Sequence, residues 1–121
     1  MLWDIHNQSE IKEIPYKADY DYWLEKLSDE EITLIKETLN LMIDGTEVQT
    51  SSWMPGSDWS NTPFHAIYEK AAFKNPDVAA KCFGLIVWVV FMERPEYWAS
   101  GHYEKDGVPI TGRTYFQIYP V

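Results

Sequence analysis

His65 and Glu69 stand four residues apart, with Asp58 a short way upstream. An imidazole and two carboxylates are the groups that hold a divalent metal or pass a proton. On a helix the pair falls one turn apart, opposite the apolar stripe. The spacing HxxxE arises readily by chance and is not a zinc signature, so we read both as solvated helix-surface residues, with Asp58 shaping a turn. His6 and His102 are isolated. Ser51, Ser52, Ser57 and Ser60 supply hydroxyls, but none sits in a nucleophile elbow, and turn and cap chemistry accounts for them. Cys82 lies inside an apolar run, where a thiol is ordinarily a small core residue. No glycine-rich phosphate loop is present. We assign no catalytic residue, metal or cofactor, and a metal-dependent enzyme built on His65, Glu69 and Asp58 is the least favoured class.

Charge is more informative. Residues 1–47 carry twelve acids against four lysines, a net of −8, whereas residues 48–121 carry seven acids and six bases, a net of −1. An acidic front half repels nucleic acid and membrane headgroups and attracts a basic partner. Tyr20, Tyr22 and Trp23 lie among Asp19, Asp21 and Glu25, and carboxylates interspersed with rings resemble phosphates and bases as a nucleic-acid-binding protein meets them. The aromatic content is itself high: six Trp, eight Tyr and five Phe in 121 residues. A domain of this size fully buries only part of that area, and Trp and Tyr are favoured at interfaces. Trp53 and Trp59 flank the turn-rich loop 54–58. They either hold that loop down or form an aromatic hot spot.

These residues need elements to position them. The start to Pro15 is weakly patterned, with Leu2, Trp3, Ile5, Ile11 and Ile14 fit for an edge strand or an arm on the core. Tyr20, Trp23, Leu24 and Leu27 predict a short helix over 19–27. Ser28-x-x-Glu31 is a capping box, and Asp29, Glu30 and Glu31 favour the positive end of the helix dipole. Ile32, Ile35, Leu39, Met42 and Ile43 then give one buried stripe, ended by Asp44-Gly45. Residues 47–53 predict a short strand. Thr62-Pro63 predicts a second helix start, with Phe64, Ile67, Tyr68 and Ala71 inward and an end near Phe73. Asn75-Pro76 repeats that signal. The following apolar run, 83–92, fits a buried helix or a buried strand, and we favour a continuous helix from Pro76 to about Glu93, stopped by Arg94-Pro95. Apolar on every side, it is expected to be central and buried by its neighbours, Trp88 included. From Tyr97 a β-hairpin turns at Asp106-Gly107 and returns through Thr114 to Tyr119.

The expected fold is therefore α+β: one small domain, 1–121, with three to four helices and a C-terminal β-hairpin. It divides into an acidic-aromatic arm and short helix (1–27) and a core (28–119). The order helix, strand, helix, helix, hairpin is similar to that of a winged helix. That resemblance covers roughly residues 28–119 and rests on no diagnostic motif. A DNA-binding winged helix needs a basic second helix and hairpin tip. Here Lys81 and Arg94 flank an apolar helix, and Lys105 and Arg113 are offset by Glu104 and Asp106, so direct nucleic-acid binding is not expected.

The longest apolar run, Cys82 to Met92, is 11 residues and too short to span a bilayer, and Met1-Leu2-Trp3-Asp4 lacks the pattern of a signal peptide. With a single cysteine, this predicts a cytoplasmic protein with no membrane association. The functional expectation is a small acidic inhibitor docking on a basic surface of a nucleic-acid-handling protein, a nucleic-acid mimic of the type that bacteriophages and mobile elements encode. The expected contacts are Asp19, Tyr20, Asp21, Trp23, Glu25, Asp29, Glu30 and Glu37, with Trp53 and Trp59 as a second patch. A toxin-immunity protein has the same physical description. A winged-helix-like regulatory module that self-associates into a homo-oligomer is the other class.

Overall fold

The computed structural model describes residues 1–51, 54, 58–102, 104–109 and 112–119. Its strongest local signal is realised at Asn75, whose Oδ1 accepts from the backbone N–H of Asp77 at 3.0 Å and of Val78 at 3.2 Å. With Pro76 preset for the first turn, this cap starts helix α3, Pro76–Glu93, unbroken through Gly84. α3 buries Cys82, Phe83, Ile86, Val87, Val90 and Phe91, and it is the central element expected. It is not covered all round, however: Gly84, Leu85 and Trp88 are only half-buried and line a groove. Trp88 is therefore a wall residue and not deep core. Its indole Nε1 donates to the Glu13 carbonyl at 3.2 Å, so one edge of the ring is spent on the N-terminal arm.

Ser28 builds the predicted capping box. Glu31 N–H donates to Ser28 Oγ at 3.1 Å, and Ser28 N–H donates to Glu31 Oε1 at 2.9 Å. Helix α2, Asp29–Ile43, follows and buries Ile35, Leu39 and Ile43 against the core. Met42, expected in that stripe, is exposed because it turns to the edge of the buried arc. Helix α1, Lys17–Leu24, begins and ends earlier than expected, and the chain closes through single turns to Leu27.

The segment after Thr62 is helical and buries Phe64, Ile67 and Ala71 as expected, but its start and its winding differ. Thr62 does not cap a helix. Its hydroxyl donates backwards to the Trp59 carbonyl at 2.8 Å, which leaves 62–64 as a turn. A wide π-helical turn, Ile67–Ala71, follows, closed by Ala72 N–H to the Ile67 carbonyl at 2.9 Å. The widening lets Ile67, Ala71 and Ala72 all face the core. Phe73 and Lys74 then reverse the chain at positive φ, 49° and 61°.

The strands join segments from both ends of the chain. The N-terminal arm is a hairpin of β1 (Leu2–Asp4) and β2 (Ser9–Ile11); β3 is Val48–Thr50, β4 Trp98–Gly101 and β7 Thr114–Gln117. They form one sheet in the order β2-β1-β4-β7-β3. β4 and β7 are the expected C-terminal hairpin, with Ser100 opposite Tyr115. Its tip is a separate pair, β5 (Glu104–Lys105) and β6 (Val108–Pro109), turned at Asp106 and Gly107 with φ of 55° and 79°. β1 joins β4 in parallel at Leu2 and Trp98. The α+β single-domain class is borne out. The likeness to a winged helix extends no further than element order, because the N-terminal hairpin completes a five-stranded sheet.

Phe91 holds helix and sheet together. Its ring stacks on Tyr115 at 4.0 Å between centroids and meets Trp98 at 4.8 Å, and all three residues are buried. Such aromatic pairs stabilise beyond their buried area by about 0.5–1.5 kcal/mol.

Candidate functional site

The carboxylates of the acidic half divide into those with a partner in the fold and those without. Asp4 closes the β1–β2 turn, accepting from the backbone N–H of His6 and Asn7 at 3.0 and 3.2 Å. Asp21 pairs with Lys17 at 2.7 Å. Glu31 serves the capping box and also pairs with Lys70 at 2.7 Å. Lys70 and then the Ser28 N–H hold the Glu31 carboxyl below its ordinary range. Asp44 meets Arg94 at 2.7 Å, and Arg94 also engages Glu96 and Asn40. Glu31 and Asp44 thereby fasten α2 to its neighbours. Asp19, Glu25, Asp29, Glu30 and Glu37 make no ion pair or side-chain hydrogen bond with the described residues, and all five are exposed.

Two of those five share a stripe with apolar side chains. Glu30, Leu34, Glu37 and Leu41 recur at i, i+4, i+7 and i+11, which places them along one line of α2. That line lies on the side away from Ile35, Leu39 and Ile43. Leu34 is 51% exposed and Leu41 75% exposed. The leucines escaped the sequence reading because one stripe had already been assigned to the core. The signal was their seven-residue spacing, out of phase with Ile35.

The expected aromatic contacts do not all reach this surface. Tyr20 is 8% exposed and belongs to the core. Desolvation, then the Glu93 carboxylate, pushes its phenol up to about 12. It is withdrawn as a contact, because α1 rests on α3 through this ring's side. Trp23 is half-buried and packs against the core beside the groove. Trp59 does not protrude: it packs on Phe83 at 5.5 Å and Phe64 at 6.3 Å, where a large ring finds more apolar area than the loop offers. Trp53 lies outside the described residues. The exposed ring on α1 is Tyr22, with the Lys26 ammonium 3.7 Å from its centroid and 4.1 Å from that of Phe73.

The His65 set is brought together only in part. His65 Nε2 lies 2.9 Å from Glu69 Oε1. Asp58 is occupied by Ser60, whose hydroxyl and then backbone N–H donate to it at 2.6 and 2.9 Å and hold the carboxyl below its usual range. Asp58, His65, Trp59 and Tyr68 edge a cavity of about 310 Å³. Among the described residues no group of three His, Cys, Asp or Glu is arranged to hold a metal ion. Cys82 is fully buried, and desolvation pushes its thiol up to about 12.

A second, larger concavity of about 920 Å³ opens between the arm, α1, α3 and the strand ends near Arg113. No described helix is long and apolar enough to cross a membrane. Comparison with protein-family models, with curated proteins and with solved structures finds no match to this chain, so the functional reading rests on these surfaces alone.

Proposed function

We propose that this chain is a small acidic binding protein that docks the outer side of α2, with the free carboxylates of α1, on a basic surface of a nucleic-acid-handling protein and inhibits it. One observation carries the reading. The Glu30-Leu34-Glu37-Leu41 stripe presents carboxylates that no residue of the described fold pairs with, interleaved with leucines left largely open to solvent. Carboxylates alone are accounted for by solubility. Leucines between them favour a macromolecular partner with its own apolar ridge, since they gain only when water is excluded from both sides. Carboxylates set around that contact steer a basic partner and discriminate against acidic ones. Asp19, Glu25 and Asp29 extend the negative field. Asp21 contributes less because Lys17 pairs with it.

The test is capture of partners from lysate at low and high salt, with identification and with duplex DNA as competitor. The reading expects a basic nucleic-acid-handling protein, released by salt and displaced by the duplex. Recovery of the bait alone points instead to self-association through the same leucines. Capture of a toxin whose activity the chain blocks, unaffected by duplex, points to an immunity protein.

A further inference from the structure

The groove between the arm, α1 and α3 has chemistry of its own. Its floor is α3 at Gly84, with Leu85 and Trp88 beside it, and Trp23 and Arg113 reach into it from α1 and from the approach to β7. Gly84 is the informative residue. A glycine inside an 18-residue helix is destabilising relative to alanine, and the usual compensation is close packing of a neighbouring backbone. None exists here: beyond the helix's own adjacent turns nothing lies within 4 Å of where a Cβ would stand, and the residue is in ordinary helical conformation. The missing side chain serves no packing in the described fold and leaves the floor of the groove open.

Arg113 gives the groove a polar pole. Its guanidinium carbon lies 5.2 Å from the Trp88 ring centroid. One nitrogen donates to Ser100 Oγ at 3.2 Å and the other meets His102 Nε2 at 3.4 Å. Arginine only donates, so Nε2 must accept, and the His102 proton sits on Nδ1, facing the Gly112 carbonyl at 3.2 Å. The fork is thus held by a hydroxyl, a neutral imidazole and a ring. No carboxylate pairs with it among the described residues, and most of its five N–H donors remain unspent.

We propose that this groove binds a small organic monoanion, a carboxylate or sulfonate on a flat or elongated apolar body, with the anionic group on Arg113 and the body over Gly84 against Trp23 and Trp88. The volume suits a ligand of drug-like size. Arginine's planar fork matches a carboxylate better than lysine does. Lys81 of α3 also lines the groove and adds to its preference for an anion, while Glu13 and Asp19 by the arm and α1 disfavour a second negative charge at that end.

The probe is 8-anilinonaphthalene-1-sulfonate, an aromatic monosulfonate whose fluorescence rises in apolar sites, titrated into the full chain. The expected result is saturable binding, displaced by decanoate and not by decyltrimethylammonium. Arg113→Gln should weaken it by about tenfold or more. Gly84→Leu should abolish it while leaving the thermal midpoint at or above wild type, because the new side chain enters open space and improves helix propensity. Leu34→Ser with Leu41→Ser should leave probe binding unchanged, which separates the groove from the α2 stripe. No saturable binding, undiminished binding in Gly84→Leu, or equal displacement by the cationic amphiphile overturns the proposal.

Discussion

Replacing Arg94 with Met tests how α2 is held in place for its outer face to be used. The Arg94 side chain is 9% exposed. It donates to Glu96 Oε2 at 3.1 Å and Oε1 at 2.9 Å, to Asn40 Oδ1 at 2.8 Å and to Asp44 at 2.7 Å. Methionine keeps the apolar stem and removes every donor. Hydrogen bonds to a charged group contribute about 1.5–3 kcal/mol each where water is excluded. Asp44 is 61% exposed, so its share is near zero, and Glu96 at 32% is discounted as well. The Asn40 and Glu96 contacts together then set a loss of about 2–3 kcal/mol at neutral pH.

Acid adds a second readout for the same variant. Burial raises the Glu96 carboxyl, but the Arg94 hydrogen bonds outweigh it and hold the group below its ordinary 4.5. A depressed carboxyl stabilises the fold above its unfolded value and loses that contribution as pH falls through the folded one. The variant lacks this contribution, so its deficit should be smaller at about pH 3.5 than at neutral pH. Urea unfolding followed by tryptophan fluorescence measures both. A midpoint equal to wild type, or a deficit that ignores pH, refutes the role given to this cluster.

Phe91→Ala should cost about 3–5 kcal/mol, and Trp88→Ala about 2 kcal/mol, since the first ring is buried between Tyr115 and Trp98 and the second is a half-exposed groove wall; chemical denaturation of the two variants checks the order. Native Cys82 should resist thiol reagents until the chain unfolds. Because its folded pKa is raised to about 12 from 9.0, its contribution is intact below pH 9 and is lost as pH rises toward 12. Wild type should therefore lose up to about 1.4 kcal/mol per pH unit in that window from this group. Cys82→Ala should flatten the alkaline decline, leaving the part due to Tyr20 and Tyr115, whose phenols burial also raises.

The elements legible in the sequence were those closed by their own neighbours. Ser28 and Glu31 satisfy each other within one turn, Asn75 caps across two residues, and Asp106-Gly107 supplies the positive φ its turn needs. What escaped depends on distant partners. β1 pairs with β2 in its own hairpin, but that hairpin joins the sheet only because Leu2 finds Trp98 in the far hairpin. The π-helical turn exists because Ile67, Ala71 and Ala72 all seek the core, a demand that no local pattern announces. Tyr20 read as an acidic-surface aromatic, since its burial depends on α3 and not on its flanking aspartates. The groove was invisible for the same reason: Trp23, Gly84 and Arg113 come from three separate segments.

The central claim is that the outer stripe of α2 binds a basic partner through both carboxylates and leucines. The direct measurement is the amount of one identified partner retained at about 50 mM and 500 mM salt, salt being the screen that weakens exposed charge pairs. It compares wild type, Glu30→Lys with Glu37→Lys, and Leu34→Ser with Leu41→Ser. All four positions are exposed, so the serine pair should leave stability within about ±0.5 kcal/mol. Glu30 lies in the first turn of α2, so the lysine pair should lose about 0.3–1 kcal/mol of dipole stabilisation, which leaves the fold intact. The account predicts that charge reversal removes capture at low salt and that the serine pair weakens it at both salts. If both variants retain the partner as wild type does, this face of α2 is solvated surface and the claim fails.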